Sequence, residues 1–393
     1  MDFYNREEAI ARINALGAQE RPFLFVIDYS AEHSYVSLLE DINPDNVLYS
    51  FPSWSNDSAE LERYGVEAES RKKPSREMRH PDALKSDTQI RDVRDKVVWE
   101  VIPETAETYR RKLDIIQRHQ QAGNSFLANL TCRIPLRTNL SLKDIYLRSK
   151  AMYKLWFRSH LVCFSPEIFV RIGNGIISGY PMKGTIDASL PDAARKLMDD
   201  AKEAAEHATI VDLIRNDLSR VASEVHVPRY RYIDLLHTNK GDILQTSSRI
   251  EGKLPEGYRT SIGDIIFSQL PAGSITGAPK RRTVEIIREA EDYDRGFYTG
   301  VMGICCDGSL ESAVMIRYVE QEKDGLVFKA GGGITAQSRW KSEYEEVMQN
   351  KSGKRKSHIS PVSPEKGKRI ASADRRRKCQ ALPCRTSRQS SYG

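Results

Sequence analysis

Cysteine is scarce in this chain and is never arranged for metal or disulfide chemistry. The six cysteines (Cys132, Cys163, Cys305, Cys306, Cys379 and Cys384) include no CxxC pair. In a chain of 393 residues that predicts reduced thiols in a cytoplasmic protein rather than a disulfide framework. Long apolar runs are missing as well. Nothing approaches the roughly 20 apolar residues of a membrane helix, so no membrane partner is expected. The first residues, Met1-Asp2-Phe3-Tyr4-Asn5-Arg6-Glu7-Glu8, carry charges of both signs and no apolar core, so no secretion signal is read there. There is no Ser/His/Asp pattern, no His/Cys metal spacing, no dinucleotide fingerprint and no internal repeat. Collagen, transmembrane and disulfide-scaffold classes are excluded.

A uniform basic surface is also absent, although the formal net charge is +6. Residues 351–393 hold 13 Lys and Arg against 2 Asp and Glu, a local +11. The other 350 residues hold 47 basic and 52 acidic side chains and are mildly acidic. Nucleic acid is therefore not an expected partner of the body, and a nucleic-acid-binding reading would rest on the tail alone. That tail is rich in Lys, Arg, Ser and Pro and nearly free of aliphatic residues, so burial cannot offset its ordering entropy. It is expected to be disordered.

What is present reads as alternating helices and strands. The run Phe23-Leu24-Phe25-Val26-Ile27 predicts a buried strand. Ser55 to Lys96 is polar and predicts loops and exposed helix. Pro103 to Gly123 predicts an amphipathic helix, and Phe126 to Pro135 a strand. Leu161 to Ile172 and Gly175 to Tyr180 predict a hairpin around Gly173-Asn174-Gly175. A long helix is expected from Ser189 to about Asp217, and strands near 225–235 and 242–252. Helices should follow at about 261–269 and 279–292, strands through 298–307, 310–319 and 325–333, and a helix from Lys341. Short turns such as Asp307-Gly308 join the late strands, which favours antiparallel pairing and an α+β class with large mostly antiparallel sheets flanked by helices.

Four segments could carry chemistry. Pro181-Met182-Lys183-Gly184-Thr185 places a lysine on a tight backbone, either as a positioned amine or as a turn residue facing water. Gly273-Ser274-Ile275-Thr276-Gly277-Ala278-Pro279-Lys280 leads into a helix start whose free N–H groups suit an anion, or simply caps the helix. It is not a Walker A loop. Glu206 lies in one helix, and Glu343 and Glu346 share a face of another. Carboxylates converging from two helices suit a hard cation such as Mg²⁺, whereas acids on solvated helix faces are the plain alternative. Ala330-Gly331-Gly332-Gly333-Ile334-Thr335, at a strand end, could offer N–H groups to a carboxylate or form a flexible turn.

Together these segments resemble the chorismate-binding enzymes. That family includes component I of anthranilate synthase and of aminodeoxychorismate synthase, and the isochorismate and salicylate synthases. The resemblance runs over about residues 96–350. It is carried by Phe164-Ser165-Pro166-Glu167, Pro181 to Thr185, Ala205-Glu206-His207 with Ile210 to Asp217, Pro271 to Lys280, Tyr298-Thr299-Gly300, Ile316-Arg317, Ala330 to Thr335 and Glu343-Tyr344-Glu345-Glu346. At Lys183 the chain looks like the aminodeoxychorismate synthases, since the anthranilate enzymes carry alanine there.

The resemblance implies an amination of chorismate, a transferase-type reaction giving 4-amino-4-deoxychorismate for 4-aminobenzoate and folate synthesis. Anthranilate synthase component I, or another chorismate-utilising enzyme, is the alternative. Lys183 would be the nucleophile and Glu167 the acid, which asks for a neutral amine and a protonated carboxyl. Mg²⁺ would sit on Glu206 and Glu346, with Glu343 beside it. Gly184, Thr185 and Thr276 would line the ring. Tyr298, Arg317, Gly331, Gly332 and Gly333 would meet the enolpyruvyl carboxylate. Ammonia would come from a glutamine amidotransferase subunit, because this chain has no glutaminase cysteine motif. Three positions depart from the family pattern: Gln245 stands where a histidine linked to pyruvate elimination is expected, Leu127 stands where water-using relatives carry a base lysine, and Asn350 replaces a lysine. The implied organisation is one catalytic domain over 1–350, with 1–95 completing a chorismate-binding core at about 96–350, followed by the basic tail.

Overall fold

The structure is a computed structural model that describes residues 2–64, 97–238 and 241–349. The expectations for residues 65–96 and for the tail lie outside the described residues.

Two antiparallel sheets dominate. The ten-stranded sheet runs in the order Phe3–Tyr4, Ser34–Leu38, Phe23–Ile27, Val301–Cys306, Ser309–Val314, Ile168–Gly173, Ile176–Gly179, Gly241–Lys253 and Met182–Asp187, with Ser223–Thr238 also paired to Gly241–Lys253. The eight-stranded sheet runs Gly277–Ala278, Leu127–Thr138, Gly325–Ile334, Tyr318–Glu322, Leu161–Ser165, Tyr153–Phe157 and Val47–Ser50, with Trp99–Val101 on the Leu127–Thr138 strand. The α+β class with antiparallel sheets is what the short late turns predicted.

Strand periodicity explains the layering. In the fully buried strand Phe23–Ile27, Phe23, Phe25 and Ile27 point into one apolar cluster and Leu24 and Val26 into another. The first cluster contains Ala9 and Ile13 of helix Arg6–Ala18 and Ile265 and Ile266 of helix Ile262–Ser268. The second contains Tyr153, Leu155, Leu161 and Cys163 of the other sheet. A strand apolar on both sides therefore lies between a helical layer and the opposing sheet. The eight-stranded sheet is covered on its far side by helices Ala106–Gln121 and Lys280–Ala290, through Tyr109, Leu113, Ile116 and Ile286.

The structure divides two stretches read as single strands. Leu161 to Ile172 is cut at Pro166-Glu167: Leu161–Ser165 belongs to the eight-stranded sheet and Ile168–Gly173 to the ten-stranded one. Proline has no N–H for a ladder, so the strand breaks there. The stretch 310–319 is cut in the same way, and the chain returns to the eight-stranded sheet through Arg317, whose φ is +55°. The crossings are tied together, since Phe164 N–H donates to Arg317 O and Val314 N–H to Glu167 O, each at 3.1 Å. The long helix expected from Ser189 to Asp217 is two helices, Ala193–Asp199 and Ala201–Leu218. Asp200 separates them and caps the second by accepting from Glu203 N–H. None of the described helices is long and apolar enough to cross a membrane.

Candidate active site

Glu167 and Arg317 meet because each occupies a point where the chain passes from one sheet to the other. Between the sheets lies a cavity of about 390 Å³. Its walls include Glu167, Lys183, Tyr298, Arg317, Gly331, Gly332 and Gly333, so seven residues singled out from the sequence come together around one space.

Glu167 is half-buried, and its carboxyl accepts a hydrogen bond from Ser274 Oγ at 2.5 Å. Burial pushes that carboxyl up; the Ser274 hydroxyl, Lys183 and Arg317 oppose the shift. A carboxyl in that condition suits a proton donor. Burial pulls the Arg317 guanidinium down to about 10, against Glu167 and Cys163. Tyr298 is buried, with its ring 5.8 Å from Tyr318, and burial pushes its hydroxyl up.

Lys183 is aimed by a bulge. On strand Met182–Asp187 it faces Thr246, whereas Thr185 faces Gln245, so Lys183 and Gly184 together oppose one partner residue. Gly184 supplies the positive φ, +76°, that such a bulge requires. In a regular strand Lys183 and Thr185, two residues apart, would share a face. With the bulge, Lys183 lines the cavity and Thr185 is exposed to solvent. A Cβ added at Gly333 would lie 3.5 Å from Lys183 Nζ, so the amine reaches the glycine strand across the cavity.

The triple glycine is not a turn. Gly331, Gly332 and Gly333 pair with Thr131, Leu130 and Asn129 inside strand Gly325–Ile334. The neighbouring strand on the other side ends at the Tyr318–Lys329 pair. From Ala330 onward the strand is therefore laddered on one edge only, and the open edge is where N–H groups are available to a ligand. A Cβ at Gly331 would stand 2.6 Å from Thr131 Cγ2, whereas one at Gly332 would meet nothing within 4 Å.

Three expected ring-lining residues lie elsewhere. Gly184 faces Glu203, Leu197 and Thr246, Thr185 is turned outward by the bulge, and neither lines the cavity. Thr276 is fully buried, and its hydroxyl donates to Ala272 O at 2.9 Å. The anion-site reading of the Pro279 helix start is corrected too. Gly273, Ser274 and Ile275 line the cavity, but the helix start does not. There Lys280 Nζ donates to Asp217 Oδ2 at 2.7 Å and to Gln269 O at 3.0 Å.

Glu206 is on helix Ala201–Leu218, 3.6 Å from Lys202 Nζ, and Glu343 is partly buried on helix Trp340–Gln349. The side chain of Glu346 lies outside the described residues. Among the described residues no three His, Cys, Asp or Glu side chains are grouped to hold a metal. The residue types still fit a hard cation. Glu203, one turn before Glu206, has its carboxyl pushed up by burial and then by the charges of Glu206 and Asp200, with Lys183 and Lys202 opposing. A divalent cation would relieve that repulsion.

The sequence reading missed Glu203, Ser274 and Asp217. Glu203 and Glu206 are three apart on one helix, the same signal that drew attention to Glu343 and Glu346. Ser274 lay inside a segment already noted for its backbone. Asp217 lines the cavity inside a quoted motif without having been given a role. His207, next to Glu206, is fully buried against Ser248 Oγ at 2.6 Å and held down to about 4 by burial, Arg231 and Lys183.

A family profile described as chorismate binding enzyme matches residues 1–352. An uncharacterized PabA-like protein of Pasteurella multocida is 41% identical over 340 residues, covering 86% of this chain and 96% of the relative. The aminodeoxychorismate synthase component 1 of Salmonella typhimurium is 32% identical over 255 residues, 61% of this chain and 55% of the relative. Among solved structures, anthranilate synthase component I from Streptococcus pneumoniae superposes with a TM-score of 0.57 at 28% identity, covering 65% of this chain and 59% of that one. The profile spans all of the described fold, including both sheet crossings and the cavity between them, and on that ground the chain belongs to the chorismate-binding enzymes.

Proposed function

We propose that the chain is an aminodeoxychorismate synthase component I, which converts chorismate and ammonia to 4-amino-4-deoxychorismate in the branch leading to 4-aminobenzoate and folate. The observation that carries this reading is the bulge at Gly184, which turns Lys183 into the cavity that also holds Glu167 and Arg317.

The Lys183 amine adds to C2 of the chorismate ring. Both ring double bonds shift, to C1=C6 and C4=C5, and the C4 hydroxyl departs as water with the proton of Glu167. Ammonia then attacks C4, both double bonds shift back, Lys183 leaves C2 with its electron pair returned to nitrogen, and the proton shed by the new C4 ammonium restores Glu167. Covalent catalysis of this kind replaces one difficult substitution by two easier ones. Arg317 offers a planar fork to the enolpyruvyl carboxylate, and the open edge of the glycine strand offers N–H groups to the same end of the substrate. Glu206 and Glu346, with Glu203 and Glu343 beside them, would hold Mg²⁺, which when bound would neutralise the ring carboxylate.

The reading includes a cytoplasmic enzyme, a catalytic domain over 1–350 separate from the basic tail, and a glutamine amidotransferase subunit as ammonia source. The test is to incubate the protein with chorismate, Mg²⁺ and ammonium and identify the product by mass, before and after adding a lyase that forms 4-aminobenzoate. A product that the lyase converts to 4-aminobenzoate supports the reading. Direct release of anthranilate and pyruvate overturns it in favour of the anthranilate synthase alternative.

A further inference from the structure

Arg295 does not line the cavity, yet it is bonded to three residues that do. Its side chain and that of Glu291 are each only 2% exposed. Nε donates to Glu291 Oε2 at 2.8 Å and Nη2 to Glu291 Oε1 at 2.7 Å, a bidentate pair. The remaining donors go outward: Nη2 to Asn129 O at 2.7 Å, and Nη1 to Ile275 O at 3.1 Å and Thr299 Oγ1 at 3.3 Å. All five N–H groups of the guanidinium are thereby used.

Asn129, Ile275 and Thr299 all line the cavity, and they come from three separate parts of the fold. Asn129 belongs to strand Leu127–Thr138 of the eight-stranded sheet. Ile275 ends the short turn Gly273–Ile275 that carries Ser274. Thr299, with φ +62°, precedes strand Val301–Cys306 of the ten-stranded sheet. Behind the guanidinium, Glu291 Oε1 accepts from Thr131 N–H and Thr131 Oγ, both at 2.8 Å, and Arg295 stacks 4.5 Å over the Tyr29 ring.

We infer that Arg295 is a positioning residue of the chorismate cavity: one guanidinium, bonded at once to Asn129, Ile275 and Thr299, sets the spacing of the walls that the two sheets contribute. The geometry needs arginine. A lysine ammonium can keep the ion pair with Glu291, but a point charge on a flexible stem cannot span Asn129 O, Ile275 O and Thr299 Oγ1 together. The inference rests on the reading of this cavity as the chorismate site.

Two variants separate positioning from stability. Arg295→Lys retains the charge pair and gives up cavity bonds. Glu291→Gln retains the guanidinium and its three cavity bonds and gives up the charge pair. Chorismate binding is measured by calorimetry with Mg²⁺ and without ammonium, and Tm by thermal denaturation of each full-length variant. The expected result is a dissociation of the two readouts. Arg295→Lys should bind chorismate about tenfold more weakly, the factor that one or two lost hydrogen bonds amount to, with the smaller loss of Tm. Glu291→Gln should show the larger loss of Tm and an affinity within about twofold of the parent, since a broken buried pair costs the fold rather than the wall. Equal losses in both readouts for both variants would show a merely structural pair and overturn the inference. If Arg295→Lys does not fold, Thr299→Val removes a single cavity bond, and unchanged affinity in that variant overturns it as well. A parent protein that binds no chorismate overturns the cavity reading and this inference with it. A parent that binds chorismate no better than Arg295→Lys does overturns this inference alone.

Discussion

Replacing Ser274 by alanine removes the hydroxyl that donates to the Glu167 carboxyl. That hydrogen bond favours the charged carboxylate and works against the burial that pushes Glu167 up. A hydrogen bond to a charged group contributes about 1.5–3 kcal/mol, part of which water entering the space left by the hydroxyl restores. Glu167 should therefore rise further in the variant. The sign follows from its role. In the proposed reaction Glu167 must be protonated when the C4 hydroxyl leaves, so activity should fall as pH climbs past its titration. The alkaline limb of the kcat/KM profile should therefore move to higher pH in Ser274→Ala. The assay is chorismate consumption across pH with Mg²⁺ and ammonium, read as the ratio of variant to parent, so that titration of ammonium itself cancels. The ratio should increase with pH. Stability gives an independent check. The folded state holds this proton more tightly than the unfolded chain, so stability is complete below the ordinary glutamate value and declines as pH rises through the folded value. The decline should extend to higher pH in the variant. A rate ratio that stays flat with pH would refute the assignment of Glu167 as the acid and of Ser274 as its partner.

Three further predictions address the other walls. Lys183→Ala should keep chorismate affinity within a few-fold and lose most turnover, with residual activity steeper in ammonium; the parent without ammonium should carry a chorismate-derived mass on the Lys183 peptide, and parental turnover in the variant would remove the lysine from the chemistry. Glu203→Gln and Glu206→Gln should each weaken Mg²⁺ binding, measured by calorimetry without substrate, by about tenfold or more while Tm without metal stays near the parent's; unchanged Mg²⁺ affinity would remove that carboxylate from the metal set. Gly331→Ala drives a Cβ to 2.6 Å from Thr131 Cγ2 and 2.8 Å from Leu130 O and should cost about 1–3 kcal/mol of stability, whereas Gly332→Ala meets no atom within 4 Å, should keep its Tm, and should weaken chorismate binding instead. Equal Tm for the two glycine variants would contradict the close approach of Gly331 to Thr131 and Leu130.

The sheets and their antiparallel sense were legible because apolar runs such as Phe23–Ile27 and short turns such as Asp307-Gly308 are local signals. Lys183, Glu167 and Arg317 were legible through the family resemblance, which names residue types in order. What stayed hidden depends on long-range pairing. Leu161 to Ile172 is apolar enough for one strand, and only its partners in two different sheets show that Pro166 divides it. The bulge that turns Thr185 outward is a register shift against Thr246 and Gln245, about sixty residues away along the chain, and alternation within Met182–Asp187 gives no sign of it. The bonds from Ser274 to Glu167 and from Arg295 to Asn129 join residues 107 and 166 positions apart, beyond the reach of any spacing rule. Glu203 is open to the same helix-face argument as Glu343 and Glu346, since it stands three residues before Glu206 on one helix.

The strand that carries Gly331, Gly332 and Gly333 loses its second neighbour beyond Lys329, and this has an evolutionary corollary. A grip made of peptide groups is written in no codon. Exchange of one side chain for another leaves every N–H where it was, provided the glycines keep the strand slender enough for a ligand to approach. That stretch of the cavity wall is consequently deaf to most point mutations, while the side chains that face it, Lys183 on its bulge and Glu167 at its crossing, are groups that one nucleotide change can replace. A scaffold divided in this way can retain its hold on one molecule while its chemistry is rewritten, so sequence drift around this cavity should accumulate as altered reactions on a constant substrate sooner than as altered substrates.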